Sequence, residues 1–463
     1  MLMGNKSRRL YRYVWSIAGG LFILLVWMES YYVNAGRMIG VLILCLLIFL
    51  VISSLYLKRN GGIIRTVTLA SSGFAILFEV TWLITDWYPA FVVAQMLVIG
   101  IGFYCLIISG KLFERDKNTG SNRWRITRRL LKSVGIVILS LVSFVVIVNF
   151  ITPAPLMSVV QSYKGYGNSY DAPPPEKKTL EHGHLKISDI EYGKNYPNSY
   201  LDVYIVNNDP NIERPTYFFV HGGGWTIGDK KLEDNAYYEQ LLDAGYNVVS
   251  INYALSPGYT YPVPLQQLSQ AVEFMQEQGN KYGVDMSAVI FAGSSAGGQI
   301  VGQFLNVQTN QAYAEKIGIT PVISRDAIKA AVLDSAALDL ERMGKTKSPV
   351  ASSNWIFYQF SRNYFQKEHL LNGTDEYAEQ GNVIDHATEH FPPVFIADGN
   401  TGTFPDQAKD LAAKLNRLGV TNELYLIDKN KVRLSHVFMD TYSTYTTDYT
   451  KKKLAFLRQV LKQ

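Results

Sequence analysis

Two short clusters in the chain bring together residue types suited to acyl chemistry. The first is His221-Gly222-Gly223-Gly224-Trp225, directly after the apolar run Tyr217–Val220. Three consecutive glycines leave backbone N–H groups uncovered and let a ligand approach closely. An oxyanion hole needs that arrangement, with donors aimed at charge that develops in the transition state. The second cluster is Gly293-Ser294-Ser295-Ala296-Gly297-Gly298, between the apolar run Val289–Ala292 and the helical pattern Gln299–Gln308. Gly-x-Ser-x-Gly between a strand and a helix is a nucleophile elbow. Small residues two before and two after Ser295 let strand and helix pack closely. Its Oγ would stand at a helix N-terminus, where the positive dipole end favours a developing oxyanion.

The elements that must hold these clusters form an alternating series. Short β-rich runs occur at Leu201–Val206, Thr216–Val220, Asn247–Ile251, Ala288–Ala292, Ala330–Leu333, Val394–Ala397 and Glu423–Ile427. Amphipathic patterns fall between or after them at Leu232–Ala244, Pro264–Tyr282, Gln299–Gln308, Asp406–Leu418 and Lys451–Leu461. Such alternation predicts an α/β fold, a mostly parallel sheet with helices on both faces. The domain is expected over 185–463. Residues 152–184, with Pro153, Pro155 and the run Pro173–Pro175, read as a linker.

HGGGW followed by Gly228-Asp229-Lys230, then Asn252-Tyr253-Ala254-Leu255-Ser256-Pro257, Tyr261-Pro262 and GSSAGG, resembles the hormone-sensitive-lipase-like branch of the α/β-hydrolase esterases. Ser199–Tyr204 is similar to an early strand of that branch. Phe391-Pro392-Pro393 through Gly399 is similar to its strand before the triad acid. The resemblance spans residues 187–460. It implies that Ser295 is the nucleophile, that the N–H groups of Gly223, Gly224 and Ala296 form the oxyanion hole, and that His436 is the general base. His221, Gly222, Gly293 and Gly297 support the two motifs.

The chain departs from that pattern at the acid. The usual Gly-x-x-Asp reads Gly399-Asn400-Thr401-Gly402 here. Asp406, at the start of the next helix, is the expected acid, with Asp398 second. A dyad oriented by Asn400 or a backbone carbonyl is the remaining option. Ala254 and Gln267 replace an Arg and an Asp that can pair in the family, so a substituted structural contact is expected. Ser294 stands where Asp is common. The aromatic segment Leu338–His390, with Trp355, Phe357, Tyr358, Phe360, Tyr364 and Phe365, could line an acyl pocket or pack as a core-facing stripe.

Two histidine patterns suggest metal and are discounted. His182-Gly-His184 has too few ligands. His386-Ala-Thr-Glu389-His390 abuts Phe391-Pro392, which stops the helix such a site needs. His369 reads as a surface residue. No cofactor or metal is expected.

Charge divides the chain. Residues 1–151 carry 16 Lys/Arg and 5 Asp/Glu, a net of +11, while the remainder has a net of −6 within an overall +5. The first part holds five apolar runs, Val14–Tyr32, Met38–Leu57, Thr66–Ile84, Pro89–Ser109 and Ser133–Ile151, each about the length that crosses a bilayer. Val33–Ala35 offers a loose cleavage pattern, but four further runs favour an uncleaved multi-pass region over a signal peptide. Basic residues concentrate before the first run (Lys6, Arg8, Arg9, Arg12), at Lys58, Arg59 and Arg65, and across Lys111–Lys132. Only Arg37 and Asp86 mark the other two loops. The asymmetry places the N-terminus in the cytoplasm and the hydrolase domain outside. Glu79, a carboxylate inside an apolar run, is a functional candidate, but near Trp82 and Trp87 it is expected at the membrane interface.

Composition excludes a disordered chain and a disulfide scaffold: 48% of residues are hydrophobic, and the two cysteines, Cys45 and Cys105, both lie in apolar runs. A cysteine-free exported domain suits a bacterium. The basic balance belongs to the membrane part, so nucleic acid is not an expected partner. The expected function is a membrane-anchored serine hydrolase acting on small-molecule, lipid or cell-envelope esters. The alternatives are a degenerate hydrolase fold that binds a ligand, and an acyltransferase acting on an envelope acceptor.

Overall fold

The computed structural model describes residues 5–31, 36–55, 62–85, 87–114, 122–207, 213–231, 235–346, 350–365, 376–441 and 443–462. Val33–Ala35, Lys58, Arg59, Asp86, Arg115, Lys117 and His369 lie outside these residues. The chain divides into two units, one of residues 1–153 and one built from 154–367 and 375–463.

The first unit contains α1 (Asn5–Tyr31), α2 (Gly36–Leu55), α3 (Gly62–Thr85), α4 (Tyr88–Glu114) and α5 (Asn122–Ile151). Among the described residues, four stretches are long and apolar enough to cross a membrane: Arg37–Leu55, Ile63–Thr85, Pro89–Ile108 and Ser133–Ile151. The apolar part of α1, Tyr13–Glu29, is shorter. α4 packs against α1 and α3, and α2 against α3. Between α1 and α4 the backbones meet closely: a Cβ on Gly19 would lie 2.7 Å from the carbonyl oxygen of Gly102. Glu79 lies in the last two turns of α3 and faces its neighbouring helices. Its side chain is fully buried, and Gln95 of α4 donates to its carboxyl at 3.4 Å.

The second unit is a nine-stranded sheet in the order β1-β2-β3-β5-β4-β6-β7-β8-β9. The strands are β1 (Glu176–Thr179), β2 (Leu185–Glu191), β3 (Tyr200–Ile205), β4 (Thr216–Val220), β5 (Asn247–Ile251), β6 (Val289–Ser294), β7 (Ile328–Asp334), β8 (Val394–Asp398) and β9 (Asn422–Leu426). From β1 to β5 the pairs are antiparallel, and from β5 through β9 they are parallel. The parallel centre reads as continuous apolar sequence because both of its faces are covered. Alternate residues serve opposite cores. Phe218, Val220 and Phe291 pack with Leu268, Phe304 and Leu411 of the helices on one face. Tyr217, Phe219 and Ile290 pack with Leu241 and Phe456 on the other. Each fully buried large side chain contributes about 1.5–3 kcal/mol.

Residues 152–184 are more than a linker. They contain the helix Ala154–Tyr163 and β1. The Gln161 amide donates to the carbonyls of Thr226 (2.8 Å) and Ser256 (3.1 Å). This segment therefore straps the loop that follows the glycine triplet.

Candidate active site

The site lies beyond the C-terminal ends of the parallel strands, where open α/β sheets bind ligands. β4 ends at Val220 and delivers His221–Trp225. Gly223 and Gly224 have φ of +101° and +60°, and a Cβ on Gly224 would lie 2.4 Å from the Phe360 ring. Side chains are excluded here on both counts. Among the described residues, the N–H groups of Gly223, Gly224 and Ala296 have no backbone acceptor. The loop is held from behind. His221 stacks on Tyr253 at 4.2 Å, and its Nδ1 lies 2.8 Å from the Gly222 carbonyl oxygen. Burial draws the His221 pKa down to about 4, so the ring is neutral. The Trp225 indole donates to Gln299 at 3.2 Å and stacks on Tyr364.

β6 ends at Ser294, and Ser295 follows with φ +51° and ψ −115°, at the N-cap of the helix Ala296–Thr309. A non-glycine residue in this region is strained and persists because the surroundings fix it. The Ser295 N–H donates to the Asp334 carbonyl at 2.8 Å. A Cβ on Gly297 would lie 2.1 Å from the Val220 carbonyl oxygen. Only glycine lets helix and strand meet so closely.

His436 lies on the loop after β9. Its Nε2 is 2.8 Å from Ser295 Oγ. Its Nδ1 is 2.8 Å from the Thr403 hydroxyl oxygen. Thr403 in turn donates to Asp398 Oδ1 at 2.6 Å. Asp398, at the end of β8, also accepts from the backbone N–H groups of Gly399 (2.7 Å) and Phe404 (2.9 Å). The Phe357 and Phe404 rings meet the imidazole edge-on at 4.9 and 5.3 Å. Burial lowers the His436 pKa to about 4. Burial raises that of Asp398 to about 7, opposed by the bonds from Thr403, Ser335, Gly399 and Phe404. The hydroxyl of Ser335 accepts from the Val437 N–H at 3.1 Å, tying the histidine loop to the end of β7.

The structure does not bring Asp406 to the histidine. Its carboxyl faces Arg342 at 3.5 Å, and Arg342 also meets Asp410 at 2.8 Å. The Asn400 side chain is occupied as well. Its amide donates to the carbonyls of Ile427 and Val432, and its oxygen accepts from the Leu434 N–H. Gly402 has φ +66°, and a Cβ there would lie 2.7 Å from Ser353 Oγ. Gln267 fills the place of the lost charge pair. Its oxygen accepts from the Ala254 N–H at 2.7 Å, and its amide donates to Pro197 and Ser199.

Two features escape sequence reasoning. Thr403 has no motif, although a hydroxyl residue directly after the expected acid position was a usable signal. Lys230, buried with Asp189 (2.6 Å) and Asp202 (3.2 Å), is the other.

The structure adds Asp243 to the first histidine pair: His182 Nδ1 and His184 Nε2 lie 2.9 and 3.0 Å from the same carboxylate oxygen. However, His184 Nδ1 accepts from the Asn207 N–H at 3.0 Å. In the neutral ring Nε2 then carries the proton and donates to Asp243. A metal-bound histidine has the opposite polarity, its free nitrogen donating outward. The donor set does not fit a metal. His386 Nε2 lies 2.9 Å from the Glu379 carbonyl oxygen and its ring stacks on Tyr313, whereas His390 sits 3.8 Å from Glu389.

Residues 217–439 match the family model of the alpha/beta hydrolase fold. A putative alpha/beta hydrolase of Acanthamoeba polyphaga mimivirus is 22% identical over 265 residues, 54% of this chain and 73% of that protein. The esterase LipI of Mycobacterium tuberculosis is 34% identical over 88 residues, 19% of this chain and 28% of LipI. Among solved structures, esterase B of Lactobacillus rhamnosis inhibited by a tributyrin phosphonate superposes with a TM-score of 0.52 at 20% identity, covering 62% of this chain and 89% of that one. That likeness is one of fold.

Proposed function

We propose, from the premise that this chain carries an α/β-hydrolase domain of the esterase type, that it cleaves short acyl esters through an acyl-serine at Ser295. The observation that carries the reading is the 2.8 Å approach of His436 Nε2 to Ser295 Oγ, on a strained turn beside three uncommitted N–H groups. Ser295 Oγ attacks the ester carbonyl carbon as His436 Nε2 takes its proton. The carbonyl oxygen becomes an oxyanion, received by the N–H groups of Gly223, Gly224 and Ala296. The bond to the alcohol oxygen then breaks, and the imidazolium protonates the departing alcohol. Water repeats the sequence on the acyl-serine and releases the acid. Asp398 supplies the negative end of the array. The tributyrin phosphonate that inhibits esterase B supports a short acyl ester as the substrate class. Phe357 and Phe360 beside His436 and Gly224 suit an apolar acyl chain.

The four long apolar helices, with α1 as a fifth crossing, support a multi-pass anchor, and the Lys/Arg asymmetry of its loops favours a cytoplasmic N-terminus with the hydrolase domain outside. A fluorophosphonate probe and p-nitrophenyl butyrate test the catalytic reading on the full chain. Wild type should form a covalent adduct and hydrolyse the ester, and Ser295→Ala should do neither. An undiminished adduct on Ser295→Ala would overturn the assignment.

A further inference from the structure

We propose that Thr403 is the positioning residue of the catalytic array, its hydroxyl joining Asp398 to His436 and fixing the imidazole in the tautomer that can take a proton from Ser295. This rests on the serine-hydrolase reading above.

Hydrogen-bond polarity fixes the direction of the array. A hydroxyl has one hydrogen and two lone pairs. Thr403 gives its hydrogen to Asp398 Oδ1 at 2.6 Å. The face of Thr403 toward His436 Nδ1, 2.8 Å away, can therefore only accept. Nδ1 must carry the imidazole hydrogen, and Nε2 is left with its lone pair toward Ser295 Oγ. The chain of donors runs Ser295 to His436 to Thr403 to Asp398, with no hydrogen out of place.

An ionised Asp398 sets this direction. A carboxylate accepts only, so it holds the threonine hydrogen. If Asp398 carried a proton and gave it to Thr403, the threonine hydrogen would turn to Nδ1. Nε2 would then hold the imidazole hydrogen and could not act as base. The surroundings favour the productive direction: Asp398 already accepts from the Gly399 and Phe404 N–H groups. When Ser295 passes its proton to Nε2, the imidazolium forms at His436. Thr403 and Asp398 keep their own protonation states, so no proton is relayed past the ring.

The loop explains why a hydroxyl stands here. Gly402, at the position where the family carries its acid, turns left-handed against Ser353. That turn strains any side chain at 402 and brings residue 403 under the imidazole. Asp398, anchored at the end of β8, is then one hydroxyl short of the ring.

The test compares Thr403→Val, which keeps the shape and loses the hydroxyl, with Thr403→Ser, which keeps the hydroxyl. Both are made in the full chain and assayed with p-nitrophenyl butyrate. Thr403→Val should lose about 10²-fold in kcat, below the ~10⁴-fold loss seen when a triad acid enforces the wrong tautomer, with KM within about twofold. Thr403→Ser should recover most of the rate. A Thr403→Val enzyme with more than a third of wild-type kcat, or a Thr403→Ser enzyme as impaired as Thr403→Val, overturns the proposal. A second readout does not depend on activity. In ¹⁵N-histidine spectra at about pH 8.5, where Asp398 is ionised, with His436 assigned by its loss in His436→Gln, wild type should show a protonated Nδ1 and a bare Nε2. The reverse pattern overturns the relay even if Ser295 is labelled. Failure of wild type to label at Ser295 refutes the serine-hydrolase reading instead.

Discussion

Replacing Lys230 by methionine should cost the hydrolase domain about 3 kcal/mol, with a pH dependence that identifies the cause. Lys230 Nζ is 2.6 Å from Asp189 and 3.2 Å from Asp202, and all three side chains are buried. The Lys230 N–H also donates to Asn252, holding the end of the loop that begins with the glycine triplet. Removing one partner of a buried ion pair costs about 3–5 kcal/mol, because a charge is left uncompensated. Asp202 keeps a second cation, Lys186 at 2.9 Å, and Asp189 keeps the Tyr170 hydroxyl at 2.6 Å. The cost therefore falls at the lower end of the range, roughly 6–12 °C in Tm. In wild type, burial acts to raise the Asp189 pKa, but Lys230 and Tyr170 outweigh it and hold the group below its ordinary value. Its stabilisation is present above the unfolded pKa of about 3.9 and is lost as pH falls through the folded value. Without Lys230 the balance reverses and the folded pKa rises. The variant can then relieve its buried charge by taking up a proton as pH falls. The gap between the two proteins should be widest at about pH 7–8 and narrow toward pH 5. Urea denaturation followed by tryptophan fluorescence at both pH values measures it. A deficit below about 1 kcal/mol, or one equal at both pH values, would refute the argument.

Four further outcomes are expected. Asp398→Asn should lower kcat about 10³–10⁴-fold, whereas Asp406→Asn, which only releases Arg342, should stay within about twofold; steady-state kinetics on both variants decide the acid. The acid limb of kcat/KM should lie near pH 7, rising with pH as Asp398 ionises, because His436, drawn down to about 4, is already neutral; a limb near 4 would remove Asp398 from control. Gly402→Asp places a carboxyl where the resembling esterases carry their acid but should lower the melting temperature and not raise kcat, since a side chain at φ +66° against Ser353 costs about 1 kcal/mol. A cysteine introduced at exposed Glu277, in a domain with none of its own, should react with an impermeant maleimide in intact cells; labelling only after lysis would reverse the proposed orientation.

What could be read from sequence follows how locally each feature is determined. β4 and β6 are evident because central parallel strands are apolar throughout, with every residue of both buried. β1, Glu-Lys-Lys-Thr with all four residues exposed, has neither apolar run nor alternation and was hidden in the expected linker. Ser295 was legible because the Gly-x-Ser-x-Gly turn itself creates the geometry that exposes it. The acid was not. Asp406 offers a local cue, a carboxylate in the first turn of a helix, yet its partner Arg342 is 64 positions away in the chain. Asp398 offers a cue of the same strength, the residue before a glycine at a strand end. Choosing between them requires the path of residues 399–403, which depends on the left-handed turn at Gly402 and on the docking of Asn400 against the histidine loop. A missing acid in a motif therefore says little about loss of catalysis. A neighbouring hydroxyl can span the gap, and the informative question is whether the remaining donors and acceptors still enforce one direction along the chain from serine to carboxylate.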